Sequence, residues 1–433
     1  MIATTIAKRS ARGISSRALS TFPVTQEAPL SASLSPSAAP AAKIEEKTLS
    51  NGVKLIARTG ASKISTIKFS VNAGSRSELV NEKGAAHLLS YCAFEGTQQR
   101  SGLRLVREME NHAFVMKNKT CRERNEFCLQ AAPEFVSEAI SSLGEAVFSP
   151  PKHSYIINER KPTAAHDYKL LEWCGQANLK EMIFEAAYGE GTPMGGSFFS
   201  HSLNKLDAED VLAYRSRNFT AGNLVIAADG VSLSELEKGA AGFVGSATSI
   251  ADSPFVGGCV RRRADFNGEV HAAIAFPALP SAQNRVLHNM LATRLAEKSK
   301  GTDLGSVSTF MEGGLECITV SAGSTAAAEA LLSMAVAELK AVASGSDKSN
   351  AVQKKVSLSN LVSLEGGESA TDVMLAANAA GVSLSDFVDV RNVTSENVQS
   401  AAKSMLQTTP AYAVVGASYG MQSYASICSS LKY

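Results

Sequence analysis

The sequence predicts an α+β fold built twice over, as two homologous α/β units. Each is a largely antiparallel sheet with helices packed on one face. Three observations point there. Short alternations of apolar and polar residues that suit strands are interleaved with longer stretches of helical periodicity. The order of these patterns in the first half recurs in the second at an offset of about 190 to 205 residues. At 433 residues the chain exceeds one ordinary core, and two units of about 200 residues accommodate it.

From the N-terminus, residues 1–19 read as a mitochondrial transit peptide. Lys8, Arg9, Arg12 and Arg17 stand among Ser, Thr and small apolar residues, with no carboxylate before Glu27. Such a composition forms a basic amphipathic helix. Arg17-Ala18-Leu19-Ser20 resembles a processing site with the cut after Leu19, and removing the four cations makes the formal net charge negative. Residues 20–42, with Pro23, Pro29, Pro36 and Pro40 among Ala and Ser, read as a disordered lead-in that cannot pack a core.

Folded structure is expected from Lys43. In the first unit, residues 43–240, strands are expected over 52–57 and 66–71, then helices over 84–91 and 101–112. A strand pair follows around 113–116 and 126–129. Helices are then expected over 139–147, 156–184 and 208–218, before a closing strand at 223–230 and a helix at 232–240. Residues 241–258, rich in Gly, Ser and Ala, form the linker. The second unit is 259–433. There 270–276 repeats the second strand, 356–365 the helix ending at Glu172, 374–381 the segment 183–189, and 412–417 the closing strand.

Composition excludes several function classes. With 42 basic and 41 acidic residues there is no global attraction to nucleic acid or to an anionic membrane. The longest apolar run, around 271–279, is too short to span a bilayer. A hydrophobic content of 45% suits a globular chain with an ample core. Seven cysteines without a C-x-x-C pair suit a reducing compartment, most of them as buried free thiols.

The stretch that bears on chemistry is Asn72-Ala73-Gly74-Ser75-Arg76-Ser77-Glu78, then Gly84-Ala85-Ala86-His87-Leu88-Leu89-Ser90-Tyr91-Cys92-Ala93-Phe94-Glu95-Gly96-Thr97. It resembles the zinc-site segment of the inverzincin peptidases, the pitrilysin and mitochondrial processing peptidase family. There A-G-S-R-x-E precedes G-x-x-H-x-x-E-H-x-x-F-x-G-T. In the active motif two His on one helix face hold zinc, and the Glu takes a proton from the metal-bound water. Here only His87 survives. Ser90 stands at the base position and accepts no proton near neutral pH. Tyr91 stands at the second ligand position, with a phenol that ionises only near ~10. The family's third ligand, a Glu on a downstream helix, corresponds to a position within 159–168. Helix phase places it at His166 and a plain count at Tyr168, neither a carboxylate.

His87, Ser90, Tyr91 and His166 are therefore degenerate positions, and no catalytic residue, metal or cofactor is expected. His87 reads as a partly buried, hydrogen-bonded, inert helix residue. Arg76 and Glu78 are expected to form a structural ion pair or a cap at this helix. An ordinary surface pair would contribute only ~0–1 kcal/mol.

The resemblance runs from about Lys43 to the C-terminus, specific in the first half and carried by pattern in the second. It implies the LuxS/MPP-like metallohydrolase fold, with two related halves facing each other across a cavity. Gly257-Gly258-Cys259-Val260-Arg261 and Asn267-Gly268-Glu269-Val270-His271-Ala272-Ala273 look like the start of the second domain in the family's core-protein branch. Those members are structural parts of ubiquinol–cytochrome c reductase, respiratory complex III.

The resemblance thus implies a non-catalytic subunit that supports assembly and stability of that complex. The implied partners are a homologous core protein 1, cytochrome b, cytochrome c1 and the Rieske protein. Its implied place is peripheral, on the matrix side of the mitochondrial inner membrane, through those partners. The alternative is the non-catalytic α subunit of the processing peptidase, which presents presequences with a glycine-rich loop. Residues 297–314, at the corresponding place, lack a run of several glycines. A new enzyme in the old cavity would need His112, His153, His166 or His201 beside Cys92 or Cys174, and no spacing links them. An exposed edge of either sheet also offers a place for strand addition by a partner or a presequence.

Overall fold

The computed structural model describes residues 43–60, 63–149, 153–200, 203–279, 281–345, 349–390 and 392–432. The transit-peptide and lead-in readings and His201 lie outside the described residues. The first half runs β1 (Lys43–Thr48), β2 (Lys54–Thr59), β3 (Ser65–Val71), α1 (Ala85–Tyr91), α2 (Gly102–Asn111), β4 (Val115–Thr120) and β5 (Asn125–Ala131). It continues with α3 (Val136–Phe148), α4 (Tyr155–Trp173), α5 (Gly175–Tyr188), α6 (Ala208–Asn218), β6 (Leu224–Asp229) and α7 (Leu233–Ala240). The second half runs β7 (Gly258–Arg263), β8 (Val270–Pro277), α8 (Ala282–Ser299), β9 (Ser306–Glu312), β10 (Leu315–Ala322) and α9 (Thr325–Ala343). It ends with α10 (Ser349–Ser363), α11 (Gly367–Ala380), α12 (Leu384–Val388), α13 (Ser395–Gln407), β11 (Ala411–Gly416) and α14 (Tyr424–Leu431).

The duplication is visible in the sheets. The first has the order β1-β2-β6-β3-β5-β4 and the second β7-β11-β8-β10-β9. In both, the last strand of the half enters the middle, parallel to one neighbour and antiparallel to the other. Only β1, an exposed edge strand, has no counterpart among the described residues. The long helix expected over 156–184 is two helices. It breaks at Cys174, whose extended backbone lets Gly175 start α5 in a new direction.

Each sheet is covered on both faces, and that arrangement joins the halves. In β6, Leu224, Ile226 and Ala228 pack into the first half's own core. The alternate residues Val225 and Ala227 pack against Met374, Leu375 and Ala377 of α11, from the other half. The second sheet mirrors this, with Tyr412 and Val414 facing their own core. Ala411, Ala413 and Val415 face Leu179, Met182, Ile183 and Phe184 of α5. Charges follow the same exchange, because Lys68 of β3 pairs with Asp372 and Arg262 of β7 with Glu185. The two halves therefore interlock by trading one helix each.

Both traded helices begin on a glycine at the same place in the repeat. A Cβ on Gly175 would lie 2.1 Å from Cδ2 of His271, the second residue of β8. A Cβ on Gly367 would lie 2.4 Å from Oγ1 of Thr66, the second residue of β3. Gly175→Val and Gly367→Val are each expected to cost about 1–3 kcal/mol by overpacking, measured by thermal unfolding. An unchanged Tm in both variants would show that the helices do not need this close approach.

All seven cysteines are free. The expectation that most are buried is not met. Cys92, Cys128 and Cys317 are buried, Cys121 and Cys428 half-buried, and Cys174 and Cys259 exposed.

Candidate functional site

The degenerate motif lies on α1. Gly84 enters the helix with a φ of +93°, a left-handed conformation that a side chain disfavours. Glu78, folded back beneath the helix, accepts the N–H groups of Gly84 at 3.0 Å and Ala86 at 2.9 Å. Of the two roles expected for Arg76 and Glu78, the cap is the one present. Arg76 turns away, toward Glu123 at 3.8 Å and Asp252 at 3.6 Å.

Burial outweighs the two N–H donors and pushes the Glu78 carboxyl up to about 7 from the ordinary 4.5. A carboxyl whose pKa is higher folded than unfolded stabilises the fold fully below its unfolded value. That contribution, about 3 kcal/mol, is lost as pH rises through about 7. Chemical denaturation across this range is expected to show Glu78→Gln removing that part of the pH dependence. Parallel profiles for variant and parent would refute the assignment.

Of the degenerate positions, His87 and Tyr91 meet on Asp167, whose side chain is 29% exposed. His87 is 4% exposed, and its Nε2 lies 3.1 Å from Oδ2 of Asp167. The Tyr91 hydroxyl donates to the same oxygen. The Tyr91 ring meets the imidazole edge-on at 5.6 Å. Ser90 turns back on its own helix and donates to the His87 carbonyl at 2.6 Å.

The placement of the third position at His166 is corrected. His166 is exposed, and the residue that reaches His87 is the neighbouring carboxylate, Asp167. The reason is the phase of α4, which buries Ile157, Ala164 and Leu171. Asp167 is three residues past Ala164 and four before Leu171, so it shares their face, while His166 points off it.

Two further aromatic rings pack on His87. Phe198 and Phe199 meet the His87 imidazole edge-on at 5.2 and 4.9 Å. Glu181 of α5 accepts the Phe198 N–H at 2.8 Å and the Ser197 hydroxyl at 3.2 Å. Arg122, from the β4–β5 turn, donates to the same carboxylate oxygen at 2.7 Å. Burial lowers the His87 pKa against the opposing pull of Asp167. Burial likewise pushes Tyr91 up to about 12. The imidazole and the phenol are thus neutral near pH 7, both as donors to Asp167.

The donor set does not suit the family's zinc. Ser90 is bonded to the backbone, and Tyr91 holds its proton. The nitrogen of His87 without a partner is Nδ1, while Nε2 faces Asp167. Among the described residues no three of His, Cys, Asp and Glu come together as a metal set. The thiol chemistry weighed from sequence gains nothing either. Burial pushes Cys92 up to about 12, and Cys174 is exposed at the α4–α5 junction. His112 is held by the Glu108 carbonyl at 2.8 Å. No hydrogen bond joins either thiol to a histidine among the described residues. A surface groove of 740 Å³ lies between α3 and α7, lined by Ile140, Gly144, Phe148, Lys238 and Phe243, and no member of the cluster lines it.

Comparison with known proteins adds the lineage. Cytochrome b-c1 complex subunit 2, mitochondrial, of Saccharomyces cerevisiae is 27% identical over 313 residues, 68% of this chain and 81% of its own length. The probable mitochondrial-processing peptidase subunit alpha-1 of Arabidopsis thaliana is 29% identical over 242 residues, 54% of this chain and 47% of its own. The probable mitochondrial-processing peptidase subunit beta of Schizosaccharomyces pombe is 26% identical over 248 residues, 54% of each chain. The alignment thus covers about half the length of these peptidase subunits. The family model of insulinase, peptidase family M16, matches residues 54–197. That span holds α1, Asp167, Glu181 and all of the cluster but Phe198 and Phe199, and by it the chain carries a domain of the M16 peptidase family.

Proposed function

We propose that this chain is a non-catalytic structural subunit of mitochondrial respiratory complex III, of the core protein 2 type. One observation carries the reading. The frame of a peptidase site is intact, from the Glu78 cap to the carboxylate at Asp167, yet Ser90 and Tyr91 replace the base and the second ligand. The alignment over 81% of the yeast complex subunit supports the same assignment.

In this reading residues 1–19 direct import and are removed, and 20–42 form the lead-in. Residues 43–240 and 259–433 are the two halves, joined through 241–258. The chain pairs with a homologous core protein 1 on the matrix side of the inner membrane. It supports cytochrome b, cytochrome c1 and the Rieske protein. No helix among the described residues is long and apolar enough to cross a membrane, so the attachment runs through those partners.

The second reading is the α subunit of the processing peptidase, favoured by the 29% identity to the Arabidopsis subunit. Against it stands the place of the glycine-rich loop. There α8 ends at Ser299 and β9 starts at Ser306, which leaves a short connection for presenting a presequence.

Native gel electrophoresis of gently solubilised mitochondria, with mass spectrometry of the band holding this chain, separates the two. Comigration with cytochromes b and c1 is the expected result. A small soluble heterodimer with a partner bearing intact H-x-x-E-H would establish the peptidase reading instead.

A further inference from the structure

We infer that the family's zinc position has been rebuilt here into a structural cluster, with His87 covered by a Phe198–Phe199 plug that Glu181 anchors. The loss of zinc chemistry is then a matter of occupied space as well as missing ligands. The inference holds whichever assembly the chain joins.

The cluster has two layers. In the inner one, a single oxygen of Asp167 takes both the His87 Nε2 and the Tyr91 hydroxyl. A cation at that oxygen would have to displace two hydrogen bonds. In the outer layer, Phe198 and Phe199 pack on each other at 4.9 Å and edge-on with the imidazole. Three separate parts of the chain hold them. Glu181 binds the Phe198 N–H and Ser197, Arg122 fixes Glu181, and the linker's Ser253 hydroxyl accepts the Met194 N–H at 3.4 Å. A loop fixed at both the anchor and the linker is part of the packed fold, and its rings pack on the one imidazole that would have to hold the metal.

The test uses the full chain in two variants. The first restores the ligands at the positions the structure identifies, Ser90→Glu, Tyr91→His and Asp167→Glu. The second adds Phe198→Ala and Phe199→Ala. Zinc content is measured after equilibrium dialysis, with circular dichroism to confirm folding. The expected result is little zinc in the first variant and stoichiometric zinc in the second. Stoichiometric zinc in the first, or none in a folded second, would overturn the inference. A metal-free readout covers failure of the five-fold variant to fold. Diethyl pyrocarbonate is expected to spare His87 in the parent while modifying exposed His166. It is expected to reach His87 once Phe198→Ala and Phe199→Ala are present. Equal modification of both histidines in the parent would also sink the proposal.

Discussion

Produced separately, residues 43–240 and 259–433 are expected to be insoluble or loosely collapsed, and produced together they are expected to assemble. The traded helices are the cause. Without its partner, the first fragment exposes Leu179, Met182, Ile183 and Phe184 of α5, all buried in the whole chain. It also bares Ile56, Val225 and Ala227 on the uncovered face of its sheet. Four such side chains at about 1.5–3 kcal/mol each amount to the order of a domain's entire stability, ~5–15 kcal/mol.

A point substitution sharpens the expectation. Met374, 1% exposed on α11, lies in the second half, yet Met374→Ala should loosen the first sheet. The expected loss is about 2–5 kcal/mol, with faster hydrogen exchange in β2 and β6. A soluble fragment 43–240 with its own cooperative unfolding transition would contradict the interlock. So would exchange changes confined to the second half.

The elements themselves were legible, since alternation and helical period place most strands and helices within a few residues. The trade was legible in part and was missed. Every residue of β6 and of β11 is buried, and both read as continuous apolar runs. Such runs signal sheets covered on both faces, whereas a single helical layer predicts alternation. What no pattern states is which helix supplies the second cover, because the apolar face of α5 fits either sheet.

Asp167 is a similar case. The spacing of Ile157, Ala164 and Leu171 fixes the inner face of α4, and that phase selects Asp167 over His166. The plug was not legible. Phe198 and Phe199 follow a Gly-rich stretch, and their target lies more than a hundred residues upstream. Two adjacent Phe in such a loop signal an anchor without naming its socket.

Arg122→Ala is expected to cost about 3–5 kcal/mol, as removal of one partner from a buried ion pair does. Arg122 and Glu181 are both largely buried, at 5% and 9% exposure, and the guanidinium lies 4.0 Å from the Phe184 ring centroid. The substitution leaves Glu181 charged, with only the Ser197 hydroxyl and the Phe198 N–H to hold it. Because Glu181 sits on the traded helix and also anchors the plug, the loss should appear as one lowered transition for the whole chain.

The pair variant Arg122→Met/Glu181→Gln separates charge from packing. It removes both ions and keeps an acceptor for the Phe198 N–H, so it should lose less than Arg122→Ala alone. The difference is the coupling that a double-mutant cycle isolates. High salt gives a second discriminator, since it weakens an exposed pair such as Lys47 with Glu237 far more than a buried one. If Arg122→Ala stayed within about 1 kcal/mol of the parent, the range of an exposed pair, Arg122 would be a bystander. The anchoring of Phe198 would then rest on Glu181 alone.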